Sequence, residues 1–363
     1  MLKISTYVPC HNNEKTLPEV LAALRHQTRP AHQYIFVHER CTDRSAAIAR
    51  EHGFELIEQT GAPGLAAARN IALKHATGDV LLGIDADVAV APNYLEELKK
   101  QFASHPEVAA VGGQLAERHR ESPADLWRAV HLRQDFGPGK IVNPPFLFGS
   151  NMAARISSLK KVGGWNERYI TNFEDVDLCQ RLRKAGFNLV YAPTCRAEHL
   201  RRDTVQSVLK TFWNWHYQGS ENMFSSVAVW LSARVPMIWK RYRVCRLADL
   251  QHPILSPITL LLPWVWTVRD LRALHGTVGD IGRPADLINA AATLLTRYGA
   301  DEQQVWVLKR HLENLIGGFD SHLQDDLPLR PEILNVILLT AAESIPDGNY
   351  WRICSAELER SLG

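Results

Sequence analysis

Net charge is almost absent from this sequence of 363 residues: 41 Lys and Arg against 39 Asp and Glu leave a formal +2. So small an excess excludes nucleic acid as a partner held by bulk electrostatics, and no basic strip interleaved with aromatics suggests one locally. Cysteine pairs are missing as well. Cys10, Cys41, Cys179, Cys195, Cys245 and Cys354 are scattered without a Cys-x-x-Cys spacing, which argues against zinc and leaves reduced thiols as the expectation. No charged region followed by an apolar stretch and a cleavage site opens the chain, so a cytoplasmic protein without a secretory leader is expected. The apolar run over 253–268 contains Pro257 and Pro263 and is shorter than the ~20 residues a membrane-spanning helix needs. Repeats and low-complexity tracts are lacking. No glycine-rich phosphate loop with a basic residue follows the first strand, which disfavours a nucleotidyltransferase.

What is present is ample core material, 46% hydrophobic residues, at a length that suggests two or so domains. Up to about residue 116, short β-branched runs alternate with amphipathic helices. Strands are predicted at 4–8, 34–37, 54–57, 80–84 and 108–111, with helices at 17–24, 45–52, 66–76 and 94–102 between them. This is a βαβ series with a largely parallel sheet. Between 118 and 145 the periodicity fades at Pro123, Gly137-Pro138-Gly139 and Pro144-Pro145, the pattern of a mobile substrate loop or of a plain insertion. A strand over 146–154, a helix over 175–185 and a strand over 187–191 resume the alternation. Beyond about residue 202 the chain turns to long helical segments with Trp213, Trp215, Trp230, Trp239, Trp264 and Trp266. Helices near 285–298, 302–316 and 331–344 would form a small bundle. The predicted organisation is therefore an α/β domain over 1–204, a helical amphipathic segment over 205–275 and a small helical domain over 276–363.

The most informative local feature is Asp85-Ala86-Asp87, which closes the apolar run Val80–Ile84. Along an extended strand the side chains at i and i+2 share a face, so both acids would converge just beyond the carboxyl end of the strand, where open α/β sheets bind ligands. Two like charges held so close call for a hard divalent cation, Mg or Mn, which can in turn hold a diphosphate. The competing reading is a loop acid pair that caps the following helix. Arg69 has two readings too, a fixed cation for a diphosphate or a surface salt bridge. Glu174-Asp175 opens a helix, where capping alone would explain the carboxylates.

Several separate segments agree on one family. Val8-Pro9-Cys10-His11-Asn12-Asn13-Glu14, the stretch from Gly64 through Ala68-Arg69-Asn70, Asp85-Ala86-Asp87, Gly149-Ser150-Asn151, Gly163-Gly164-Trp165 and Glu174-Asp175-Val176-Asp177 follow one another in order. Over roughly residues 2–200 the chain resembles the family 2 inverting glycosyltransferases of the GT-A fold, a Rossmann-like, mostly parallel mixed sheet. The resemblance implies a nucleoside-diphosphate sugar as donor, a hydroxyl acceptor that could be a lipid-linked glycan, and a divalent cation, Mn or Mg. It implies that Asp87 is the direct metal ligand, with Asp85 nearer the ribose or reaching the metal through water. His199, at a position where such enzymes often carry a histidine, would complete the metal shell. Pro9, Glu14, Glu39, Arg69, Asp85 and Ala86 would line the nucleotide. Asp175 would take the proton from the acceptor hydroxyl, Glu174 would touch the acceptor, and Asp177 would be structural.

Two departures stand out. His38-Glu39 replaces the consecutive aspartates usual after the second strand, and His11 stands where a tyrosine is common, which leaves the nucleotide base open, with uridine weakly favoured. The altered pocket also supports a rival reading, a catalytically degenerate sugar-nucleotide-binding scaffold. Finally, Arg234, Lys240, Arg241, Arg243 and Arg246 cluster around Trp239, ahead of Trp264 and Trp266. This suggests either a peripheral contact with an anionic membrane face or an amphipathic pair packed on the catalytic domain or forming a dimer contact.

Overall fold

A computed structural model of the protein describes residues 2–104, 107–226 and 229–278, together with Glu302 and Trp306. The chain divides into two units, Met1–Gln218 and Gly219–Gly363.

The first unit is built on one nine-stranded sheet whose main path runs β3-β2-β1-β4-β8-β6-β9-β5. Its strands are β1 (Ile4–Cys10), β2 (Gln33–His38), β3 (Glu55–Glu58), β4 (Val80–Ile84), β5 (Val88–Val90), β6 (Val108–Glu117), β7 (Ile141–Val142), β8 (Asn151–Arg155) and β9 (Asn188–His199). Strands β3, β2, β1 and β4 pair in parallel, as do β6 and β9, whereas β8, β5 and β7 run against their neighbours. The sheet is thus mixed, with a Rossmann-like parallel half over β3-β2-β1-β4. Alternation within the strands sorts side chains into two layers. In β4, Val80, Leu82 and Ile84 join one apolar cluster, while Leu81 joins the other with Tyr7 and Ile35.

Helices α1 (Leu17–Arg25), α2 (Ser45–Glu51) and α4 (Tyr94–Ser104) pack into the first cluster, and α3 (Leu65–His75) and, further along, α7 (Glu174–Lys184) into the second. Each follows from its spacing. Leu17, Val20, Leu21 and Leu24 form the buried stripe of α1, and α3 buries the small run Ala66-Ala67-Ala68 together with Arg69.

The stretch read as an insertion or loop contains a helix, α5 (Pro123–His131). Pro123 is its first residue, not a breaker: proline suits the first helical turn, and the Ser122 hydroxyl accepts the Asp125 N–H as an N-cap. Trp127 of α5 is fully buried and meets Phe212 of α8 (Val205–Tyr217) edge-on, ring centroids 5.3 Å apart. Helix α6 (Ile156–Lys161) follows β8 directly along the chain. The strand predicted over 146–154 is shorter, because Gly149 and Ser150 make a turn before β8 begins. Conversely β6 and β9 extend well past their apolar cores, to Glu117 and His199.

The second unit contains helices Val235–Asp249 and Ser256–Val278, the latter with Pro263 inside it. Arg234, one of the basic cluster around Trp239, is fully buried: its Nε lies 2.8 Å from Asp270 Oδ2, and its guanidinium sits 5.2 Å from the Trp266 ring centroid. Trp266 and Trp230 are buried as well, so neither faces a membrane, whereas Val244, Leu247, Leu250 and Ile254 are exposed. No helix among the described residues is long and apolar enough to cross a membrane. The helices predicted near 285–298, 302–316 and 331–344 lie outside the described residues, apart from Glu302 and Trp306, which are helical.

Candidate functional site

The carboxyl ends of β1, β2 and β4 carry the loops that the motifs occupy. Two of these loops are sewn together. Asn12 Oδ1 accepts the Thr42 N–H at 2.8 Å, Ser45 Oγ accepts the Asn13 N–H at 2.9 Å, and Glu14 Oε2 accepts the Arg44 N–H at 3.0 Å. The two departures noted in sequence meet here: the His11 Nδ1–H donates to the Glu39 carbonyl at 2.7 Å. Glu39 also accepts the Gly64 N–H on one carboxylate oxygen at 3.2 Å, leaving its other oxygen for a ligand. Pro9 and Ala86 are buried and contribute backbone shape, while Glu14 is exposed and builds the loop.

Asp85-Ala86-Asp87 is not an extended continuation of β4. It sits in a tight turn closed by the Val88 N–H on the Asp85 carbonyl at 3.0 Å. The two acids therefore find different partners, Asp85 pairing with Arg69 and Asp87 with His199. The helix-capping reading falls with this geometry.

Arg69 organises the acid centre. It is 1% exposed and reaches four segments at once: Nη1 donates to Tyr7 Oη at 2.9 Å and to the Gly149 carbonyl at 3.0 Å, while Nη2 lies 3.5 Å from Asp85 and 3.4 Å from Glu174. The surface-salt-bridge reading is thereby excluded. So enclosed, Arg69 does not project outward and instead holds the Asp85 and Glu174 carboxylates. Gly149 is required by this packing, since a Cβ there would stand 2.8 Å from Arg69 Nη2 and 3.2 Å from Glu174 Oε1. Arg69→Met is expected to cost about 3–5 kcal/mol of stability, because two partly or wholly buried carboxylates lose their cation. Urea denaturation checks this, and a loss below ~1 kcal/mol would mean that Arg69 is an ordinary exposed-type pair.

Phe173 turns the chain into α7 with φ 74°, a left-handed conformation that is strained for a bulky residue. It delivers Glu174 inward, buried against Arg69, and leaves Asp175 partly accessible. Asp175 Oδ2 accepts the Gly149 N–H at 2.8 Å and Oδ1 the Val176 N–H at 2.8 Å, so the carboxylate is fixed in orientation. Burial raises both carboxyls above their ordinary range; Asp175 raises Glu174 further, while Arg69 pulls both down. Asp177 faces elsewhere, to Arg181 at 2.7 Å, whose guanidinium holds the Val162 and Gly164 carbonyls.

At the other edge, β9 ends on His199. The ladder aligns Val88 of β5 on one side of it and Glu117 of β6 on the other. His199 Nε2 lies 3.2 Å from Asp87 Oδ2, and its Nδ1 lies 2.9 and 3.1 Å from the two Glu117 oxygens. Burial disfavours a charged ring, yet the Asp87 and Glu117 carboxylates prevail and raise His199 to about 9, while burial opposes but His199 still lowers Asp87. Burial, and Asp87 nearby, raise Asp85 against the pull of Arg69. Asp85 Oδ1 is buried and accepts no hydrogen bond among the described residues. Two residues of this site escaped sequence reasoning, Tyr7 and Glu117. Tyr7 reads as an ordinary strand residue. Glu117 was recoverable from the alternation Leu115-Ala116-Glu117 beyond the glycine pair that seemed to end the strand.

Residues 5–163 match the family model described as Glycosyl transferase family 2. The pre-mycofactocin glycosyltransferase of Mycobacterium tuberculosis is 29% identical over 212 residues, 56% of this chain and 44% of the relative. The poly-beta-1,6-N-acetyl-D-glucosamine synthase of Staphylococcus epidermidis is 25% identical over 232 residues, 60% of this chain and 55% of the relative. The chain thus spans about half the length of these relatives. The mannosyltransferase PcManGT of Pyrobaculum calidifontis, solved with GDP-Man and Mn2+, aligns with a TM-score of 0.48 at 18% identity, covering 95% of this chain and 88% of that one.

Proposed function

We propose, from the match of residues 5–163 to the family model described as Glycosyl transferase family 2, that the protein is a metal-dependent inverting glycosyltransferase. It moves a sugar from a nucleoside-diphosphate donor, uridine weakly favoured, to a hydroxyl acceptor in glycan or glycoconjugate assembly. The observation that carries this reading is the pairing of Asp87 with His199 at 3.2 Å on the edge where β4 ends, beside the Asp85, Glu174 and Asp175 carboxylates.

The donor set fits a divalent cation. A carboxylate oxygen and an imidazole nitrogen facing each other suit Mn, while Asp85 Oδ1 is held in the ion pair with Arg69 at 3.5 Å. No group of three His, Cys, Asp or Glu side chains forms a ready cage among the described residues. Remaining positions on the ion would fall to diphosphate oxygens and water, as is usual for Mg sites of this kind. Held by Asp87 and His199, the ion would neutralise charge developing on the diphosphate leaving group. Asp175 takes the proton of the acceptor hydroxyl as that oxygen attacks the anomeric carbon from the face opposite the leaving group. Glu174, paired with Arg69, keeps the start of α7 in register with the Gly149 turn. A lipid-linked acceptor would bring the protein to the inner face of a membrane.

The test is nucleoside diphosphate release from a panel of sugar donors with Mn2+ and acceptor extracts. Release is expected to vanish with excess EDTA and to return when Mn2+ is restored. Turnover that survives chelation would overturn the metal dependence, and donor binding without turnover across a broad acceptor panel would favour the degenerate scaffold.

A further inference from the structure

We propose that Glu117 is the positioning residue of His199, and that a buried chain Glu117–Arg128–Asp203 fixes which imidazole nitrogen is presented to Asp87. The inference rests on the metal-dependent reading above.

The geometry is specific. Strand pairing sets Glu117 of β6 opposite His199 of β9, and both side chains are buried, at 8% and 5% exposure. Both Glu117 oxygens lie within hydrogen-bond reach of Nδ1. A carboxylate can only accept, so each ring nitrogen carries a proton toward its acid, Nδ1 toward Glu117 and Nε2 toward Asp87; a cation would displace the Nε2 proton and leave the Nδ1–H on Glu117. A carboxylate behind a histidine in this way locks the ring and raises its basicity as a ligand.

Glu117 would be costly to bury alone. Arg128 of α5 answers it, with Nη1 3.7 Å from Glu117 Oε1 and Nε bonded to Asp203. Asp203 is anchored in turn: its N–H donates to Asp125 Oδ1 at 2.7 Å, and its carboxylate accepts Arg201 Nε at 3.2 Å and Ser207 Oγ at 2.5 Å. Charges thus alternate from Asp87 to Arg201 without a gap. Helix α5 acquires a purpose from this, since it carries Arg128 beneath the histidine and Asp125 beneath the Asp203 backbone.

Mn2+ binding to the full chain, read from the electron paramagnetic resonance signal of the free ion, tests the proposal without turnover. Glu117→Ala is expected to weaken Mn2+ binding by about 10–100-fold. Glu117→Gln should recover part of the loss, because its amide oxygen still accepts the Nδ1–H. A purely structural Glu117 would lower the melting temperature of both variants and leave their Mn2+ affinity unchanged, which overturns the inference. No Mn2+ binding by the wild-type chain would instead overturn the metal reading on which it rests. Should the variants not fold, the two-bond 15N spectrum of the wild-type chain loaded with Mg2+ decides: a His199 ring protonated on Nδ1 is expected, and one protonated on Nε2 refutes the proposal.

Discussion

Asp175→Asn is expected to lower kcat by about 10²–10⁴-fold, the usual contribution of a positioned general base, while donor affinity stays near that of the wild type. The asparagine is nearly isosteric and its single oxygen can still accept one of the two N–H groups that fix Asp175, those of Gly149 and Val176 at 2.8 Å each, with the other accepted only by the carboxylate. What is lost is the capacity to take a proton. Glu174 cannot substitute, because it is buried and paired with Arg69 at 3.4 Å. The pH profile gives an independent readout. Burial holds the Asp175 carboxyl above its ordinary 3.8, with the Gly149 N–H and Arg69 opposing. The base works only when ionised, so kcat should climb with pH along an acidic limb that lies above the ordinary carboxylate range, and the limb should be missing from any residual activity of the variant. An Asp175→Asn enzyme with wild-type kcat would move the base elsewhere.

Asp87→Ala is expected to reduce nucleoside diphosphate release by roughly 10²–10⁴-fold, several kcal/mol of leaving-group stabilisation at about 1.4 kcal/mol per decade. The melting temperature should change little, because His199 keeps its bond to Glu117 and the turn remains closed by the Val88 N–H on the Asp85 carbonyl at 3.0 Å. Fold and turnover therefore separate in one variant. Comparable release by the Asp87→Ala and wild-type chains, both at saturating Mn2+, would show that the ion is held by other groups or not required.

Most of the sheet was legible because its strands are short, apolar and punctuated. Ile4–Cys10 is buried along its whole length, and the stripe of Leu17, Val20, Leu21 and Leu24 admits one reading. The failures have physical causes. Pro123 reads as a breaker within a loop-like stretch, yet a serine stands before it, the pairing that starts a helix. β6 and β9 were cut short because their distal halves carry polar and small residues, and their pairing depends on the neighbouring strands more than on their own composition. The tripeptide was read as an extended strand, but the Val88 N–H closes it into a turn, so its acids diverge to Arg69 and His199. Arg234 reads in sequence only as one of a basic cluster, because its partner Asp270 is distant along the chain. Motif residues were legible; the buried groups that hold them were not.

The pairing of β5 with β9 has a bearing on how the protein comes into being. Asp87 and His199 are brought side by side by the ladder that aligns Val88 with His199 and by the Leu200 N–H on the Asp87 carbonyl at 2.8 Å. The parallel core β3-β2-β1-β4 is complete in sequence by Ile84, so it can assemble early from neighbouring segments, whereas the Asp87 edge waits for the last strand of the sheet to be synthesised and docked. A nascent or truncated chain that stops before β9 can hold much of the core and still lack the histidine edge, so competence would arrive in one late step of folding.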